Sequence, residues 1–321
     1  MADQKRLEKR ATRAERRAAE IAAQKAAAEQ AAKERKQQTM IGAIIVAIIV
    51  VLVAIAGFAI YRAMKPANTS DAASTQTVDE AYTALQNVSV KPEKASDDGG
   101  FIISSKGKKV DGAPTLSFYE EPLCPGCATI NRQLDETTTA MVKAGQLNLD
   151  LYFLNFQDNK SSDEYSSRAF NGAVYIAEHD DDPEHLLNYL ANIYAEDFQP
   201  GELSDYTPVT NDQLRQQAVD AGVSEEVAAA AFSGENEYVP WLDAVNDYSI
   251  RRPELFNSNG SFSSPTLTIN GNYWSTSQIS QADTTLVDGF LKSIGLDADQ
   301  VGVKGSMPSI GSDCKPISLT D

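Results

Sequence analysis

The segment Cys124-Pro125-Gly126-Cys127 holds the residues of this 321-residue chain whose types and spacing most directly permit chemistry. The reactive form of a cysteine is its thiolate. Thr115–Tyr119 (TLSFY) reads as a strand just before the pair, and a helical stretch follows it to about Lys143, closed by Gly145. Cys124 then falls at a helix N-terminus, where backbone N–H groups and the helix dipole stabilise an anion. That lowers its pKa and makes it the better nucleophile and leaving group. Cys127 lies one turn in, close enough to form or resolve a disulfide. Pro125 has no N–H to donate and pre-sets φ for the first turn.

Two other chemistries use the same spacing. Structural zinc wants four ligands, and only Cys314, His179 and His185 remain, far apart in sequence. A purely structural disulfide closes so short a loop that it constrains little of the unfolded chain. Glu178-His179-Asp180-Asp181-Asp182-Pro183-Glu184-His185 reads as a metal cluster or, more simply, as a solvated loop with a helix cap. No metal and no cofactor is expected.

The elements that must position the pair follow from periodicity. Phe101–Ile103 is a candidate strand, and Leu147–Phe156 (LNLDLYFLNF) alternates with period two. Thr115–Phe156 is therefore β–CxxC–α–β. A mostly helical block follows over about 160–252, with Asp182-Pro183 and Thr210-Asn211-Asp212-Gln213 as helix starts. Ser264-Pro265 precedes the strand Thr266–Ile269, Asn270-Gly271 signals a hairpin, and Tyr273-Trp274 starts the return strand. Ala282–Ile294 is a last helix. The aromatic residues around 238–248 and 273–274 read as core first and as a substrate groove second.

The run from Tyr119 to Cys127 (YEEPLCPGC) resembles the active-site segment of membrane-anchored DsbA-like thiol–disulfide oxidoreductases of actinobacterial type. Ser264–Gly271 (SPTLTING) is similar to that family's cis-proline loop, strand and turn, and the helical block to its inserted domain. The resemblance covers roughly residues 77–296. It implies an α/β thioredoxin fold with an inserted helical domain, and dithiol–disulfide exchange with exported unfolded or reduced proteins. On it, Cys124 is the attacking cysteine, Cys127 the resolving one, and Pro265 the cis-proline facing the pair. Ser264 offers backbone groups to a bound peptide, and Glu121 matches an acidic position, as a proton relay or as part of a solvated turn. A DsbB- or VKOR-like membrane partner is implied as reoxidant. Gly126 departs from the family pattern where His is frequent, and Phe118 stands where many relatives carry a buried acid. Both departures bear on the redox potential.

Residues 41–61 form 21 consecutive residues without a charge, enough to cross the ~30 Å hydrocarbon layer as a helix. Before them, residues 1–40 carry eleven Lys/Arg against six Asp/Glu, an Ala-rich basic helical segment. Arg62 and Lys65 follow. The asymmetry predicts a single-pass anchor with the N-terminus cytoplasmic and the catalytic domain extracellular, at the cell membrane. There, disulfides persist. A polar linker covers 62–76, a domain 77–296, and an irregular tail with Cys314 the residues 297–321. From 66 to 321 the chain carries fifteen Lys/Arg against thirty-nine Asp/Glu. That surface repels phosphate, so nucleic acid is excluded as a partner. The leading expectation is an oxidase that forms disulfides in secreted proteins. A reductase or isomerase on the same fold, or a tethered non-enzymatic binding module, are the alternatives.

Overall fold

The computed structural model describes residues 76–320. The expected basic segment, membrane span and nearly all of the linker lie outside the described residues. Among the described residues, no helix is long and apolar enough to cross a membrane.

The described chain begins with α1 (Val78–Gln86), started by a Thr77/Glu80 capping box. Five strands follow in the chain: β1 (Phe101–Ile103), β2 (Thr115–Glu120), β3 (Asn148–Phe153), β4 (Thr266–Ile269) and β5 (Asn272–Tyr273). They form one sheet in the order β1-β3-β2-β4-β5. β2 and β3 are parallel, with α2 (Pro125–Ala144) as their crossover, and the other three pairings are antiparallel. β2 and β3 are buried almost throughout, as interior strands covered on both faces must be.

Between β3 and β4 the chain inserts five helices: α3 (Tyr165–His179), α4 (Pro183–Ile193), α5 (Asn211–Asp220), α6 (Glu225–Ala231) and α7 (Val239–Ser249). Each is built on a buried apolar stripe, such as Leu186, Leu187, Leu190 and Ile193 on α4. The block is not a separate body. α4 packs on α2, and α7 on β3. Phe101 stacks against both Phe153 and Trp241, and Phe153 against Phe170, so aromatic rings join the sheet to α7 and α3. This is a thioredoxin fold with a helical insertion.

The structure departs from the sequence reading at the C-terminal end. The helix expected from Ala282 to Ile294 begins only at Leu286, as α9 (Leu286–Ile294), and a short helix not foreseen, α8 (Ser277–Gln281), precedes it. Asp283 takes φ 48 between them, a left-handed conformation that a continuing helix cannot contain. The tail is irregular but docked. Gln146 donates to the carbonyls of Gln300 and Ser306 at 2.8 and 2.7 Å, and Ile310 is buried.

Candidate active site

β2 ends at Glu120, and a tight turn follows in which the Cys124 N–H donates to the Glu121 carbonyl at 3.1 Å. Cys124 is the N-cap of α2, and Pro125 occupies the first turn. This arrangement points the first N–H groups of a 20-residue helix at the Cys124 sulfur. The Cys127 N–H donates to it at 3.4 Å. Cys124 Sγ also sits 3.5 Å from the Ser264 carbonyl, and Cys127 Sγ is 2.9 Å from Ser264 Oγ. Both cysteines are free thiols and buried.

The two sulfurs differ in acidity. The Cys127 thiol donates toward Cys124 and, against the cost of burial, Ser264 and the N–H groups of Cys127 and Gly126 add to its effect. Together they bring the Cys124 thiol down to about 7. Burial pushes the Cys127 thiol up, and the neighbouring Cys124 and Glu120 charges push it further. As pH rises through about 7 the reduced pair therefore gains one negative charge, on Cys124.

Pro265 follows a cis Ser264–Pro265 peptide and packs directly on the CxxC turn. A Cβ placed on Gly126 would fall 2.9 Å from Pro265 Cδ and 3.6 Å from Cys124 Sγ. The sequence reading treated Gly126 as the loss of a side chain. The structure gives the reason for the glycine: the proline ring occupies the space. Gly126→His is therefore expected to destabilise the domain by about 1–3 kcal/mol, as overpacking does. Calorimetry reads this as a lower melting temperature, and an unchanged one contradicts the contact.

Strand alternation separates two adjacent acids. Leu116, Phe118 and Glu120 of β2 line a small cavity closed by α2 and α4, which Leu134, Asp135 and Leu190 also face. Glu121 points elsewhere, to α3, where the Ser166 hydroxyl donates to its Oε1. The Leu123 N–H donates to Glu121 Oε2 at 2.8 Å. Both acids are fully buried, so the solvated-turn reading of Glu121 is overturned. Burial pushes both carboxyls up, Glu120 to about 8. Neither Glu120 oxygen has a hydrogen-bond partner, nor has the Tyr194 hydroxyl. Tyr194 lies close enough to act on Glu120 electrostatically but off hydrogen-bonding geometry.

Glu120 is the residue that sequence reasoning missed. It looked for a buried acid at Phe118, which is instead a core side chain on the same face of β2. The signal was available: two residues along a strand return to the same face, so an acid at 120 shares the face of Phe118.

The structure thus gathers Cys124, Cys127, Gly126, Glu121, Ser264 and Pro265 at one end of β2, with Pro125 exposed above them. Other singled-out residues stay apart. His185 pairs with Asp180 at 2.9 Å, and the His179 ring stacks on Tyr175. Among the described residues, no group of three His, Cys, Asp or Glu could hold a metal ion. Trp241 and Trp274 are core, as the aromatic pattern predicted. Arg252 hydrogen-bonds Tyr119 at 3.2 Å and lies over the Tyr119 and Tyr248 rings. It ties the end of the helical block to β2.

Cys314 is exposed, and Asn270 Nδ2 donates to its carbonyl at 2.8 Å. Asn270 follows β4, whereas Pro265 precedes it, so five steps along the strand separate them, about 16 Å. Cys314→Ser is expected to leave exchange rates within about threefold of the parent, a change below ~1 kcal/mol. A loss comparable to that of Cys124→Ser contradicts this.

A parallel β–CxxC–α–β unit, its first cysteine on a helix N-terminus and a cis-proline packed against the turn, defines the dithiol proteins of thioredoxin fold. The family model described as Thioredoxin matches residues 109–288, more than half of the chain, and the chain belongs to that family. Among curated proteins, it is 34% identical over 107 residues to the serine/threonine-protein kinase PknE of Mycobacterium tuberculosis, a match covering 33% of this chain and 18% of that one. Among solved structures, DsbA of Mycobacterium tuberculosis (reduced) aligns at 25% identity and TM-score 0.44, over 57% of this chain and 89% of that chain. The thiol-disulfide oxidoreductase MdbA of Corynebacterium diphtheriae aligns at 23% identity and TM-score 0.45, over 60% and 93%.

Proposed function

We propose that this protein oxidises dithiols of exported proteins to disulfides, outside the membrane to which residues 41–61 anchor it. The observation that carries the reading is the asymmetry of the two sulfurs: a Cys124 thiol brought down to about 7 beside a Cys127 thiol pushed up by burial. Stabilising the reduced form in this way makes the disulfide form oxidising.

The steps follow from the geometry. A substrate thiolate attacks Cys124 Sγ of the disulfide, the sulfur nearer the surface, and Cys127 leaves. Cys127 takes a proton, because its thiolate is unfavourable where it is buried. Glu120 is the acid on that side of the sheet. Neutral below about pH 8, it supplies the proton and is restored by one of the two that the substrate thiols release. The second substrate thiolate then attacks its own sulfur in the mixed disulfide, and Cys124 departs as the thiolate that the helix N-terminus favours. The Ser264 backbone, whose carbonyl lies 3.5 Å from Cys124 Sγ, holds the substrate chain.

A DsbB- or VKOR-like quinone reductase is the proposed reoxidant. Cys127→Ser leaves the attacking sulfur without its resolving partner. Cells carrying it are expected to accumulate mixed disulfides between Cys124 and exported proteins, visible on non-reducing gels. If the parent pair is found mainly as dithiol in cells and no substrate is trapped, a reductase replaces the oxidase. An alkaline phosphatase fused after residue 296 is expected to be active, and an inactive but stable fusion contradicts the topology.

A further inference from the structure

The exchange reading leaves one buried acid unused. Glu121 and Glu120 are neighbours in sequence, yet their surroundings are opposite. Glu120 has no donor on either oxygen, so nothing around it favours its charged form. Glu121 has three. Ser166 donates to Oε1 and the Leu123 N–H to Oε2 at 2.8 Å. The Gln157 amide nitrogen, in the orientation its acceptor neighbours require, lies 3.1 Å from Oε2. Three donors on a carboxyl favour its charged form. The same Gln157 nitrogen is 3.2 Å from Glu202 Oε1, which Lys160 holds at 3.0 Å. A partly exposed ion pair thus connects the buried acid to the surface.

The charged state of Glu121 has one competitor that changes during the reaction. Cys124 is neutral within a disulfide and anionic once reduced. Burial opposes ionisation of Glu121 most, and the Cys124 charge and then Asp158 add to it; of these, the Cys124 charge is the one that the reaction changes. The hydroxyls of Tyr165 and Tyr194 also face this region and stay neutral, their own ionisation suppressed by burial. Cys127 does not compete, because it is uncharged as a thiol and as a disulfide. The thiolate is therefore the redox-dependent charge that Glu121 meets.

We propose that Glu121 takes up the second proton when the Cys124–Cys127 disulfide is reduced, and releases it on oxidation. The balance is complete without another reactant. A substrate dithiol brings two protons and two electrons. The Cys124–Cys127 bond breaks, and the substrate disulfide forms. One proton goes to Cys127 and one to Glu121, while Cys124 remains a thiolate. The net charge of the site is the same before and after. Glu121 acts through Cys124 and is a positioning residue. Its Ser166 contact also lets helix α3 register the redox state, since a neutral Glu121 must itself donate where it formerly accepted.

This rests on the exchange reading, and the test separates the two. The full chain is equilibrated with reduced and oxidised glutathione between about pH 7.5 and 8.5, and the constant is written for the protonated glutathione thiol, corrected for its ionisation, since an ordinary thiol is half ionised near pH 8.5. Glutathione oxidation releases two protons. If the site takes up two, its equilibrium constant with glutathione is flat in pH. If it takes up one, the constant rises about tenfold per pH unit. The parent is expected to be flat, Glu121→Gln to rise tenfold per unit, and Glu120→Gln to remain flat. A parent that rises tenfold overturns the proposal without needing either variant to fold. So does a tenfold slope in Glu120→Gln with a flat Glu121→Gln, which places the coupling at Glu120. A chain that never equilibrates with glutathione overturns both this proposal and the exchange reading.

Discussion

Cys124→Ser is expected to abolish dithiol–disulfide exchange outright, with no residual turnover of a reduced test protein. The serine oxygen keeps the N-cap interaction, since serine is itself a strong N-cap residue, so the fold survives. What is lost is the sulfur that is stable as an anion beside the helix N-terminus and reachable from outside. Cys127 cannot substitute. It is 0% exposed, and its thiol is pushed away from ionisation by burial. Assay of the oxidised parent and the variant on a reduced protein, with circular dichroism to confirm folding, checks this. Retained activity in the variant moves the reaction elsewhere, and a parent without activity leaves the binding-module reading in place.

Glu120→Gln has the second largest expected effect. General acid–base transfer by a positioned side chain contributes typically 10²–10⁴-fold. A loss of about 10²-fold, the lower end of that range, is expected in the step where Cys127 attacks or leaves. Attack at Cys124 itself is expected to be nearly unchanged, because the charge of Glu120 acts on Cys127, whereas the carboxyl that Cys124 meets is Glu121. Rapid-mixing kinetics separate the two steps. Equal slowing of both indicates a general distortion and removes Glu120 from the proton transfer. The pH dependence has a definite sign. A carboxyl raised to about 8 donates below that pH, so the rate of Cys127 departure falls as pH rises through it.

The parts of the site that sequence made legible are those fixed by local chain chemistry. Cys124 as N-cap, Pro125 in the first turn and Gly145 at φ 75 beyond the helix end are each dictated within a few residues. Asn270 and Gly271, at φ 50 and 74, turn the β4–β5 hairpin as the dipeptide required. Glu120 and Glu121 were not legible in the same way. β2 is buried on both faces, so its pattern carries no polar side from which to read direction. What each acid meets comes from distant chain: α4 and the residue capping it for Glu120, Ser166 of α3 for Glu121. The close approach of Pro265 to Gly126 joins segments 139 residues apart. It follows from the placement of β4 against β2, not from either motif alone.

The most direct test of the account is alkylation of the reduced chain as a function of pH, with the labelled residue located by mass spectrometry. A single half-maximum near pH 7, with the label on Cys124, is the predicted result. Labelling that rises only toward the 9.0 of an ordinary thiol, or that falls first on Cys127, contradicts it.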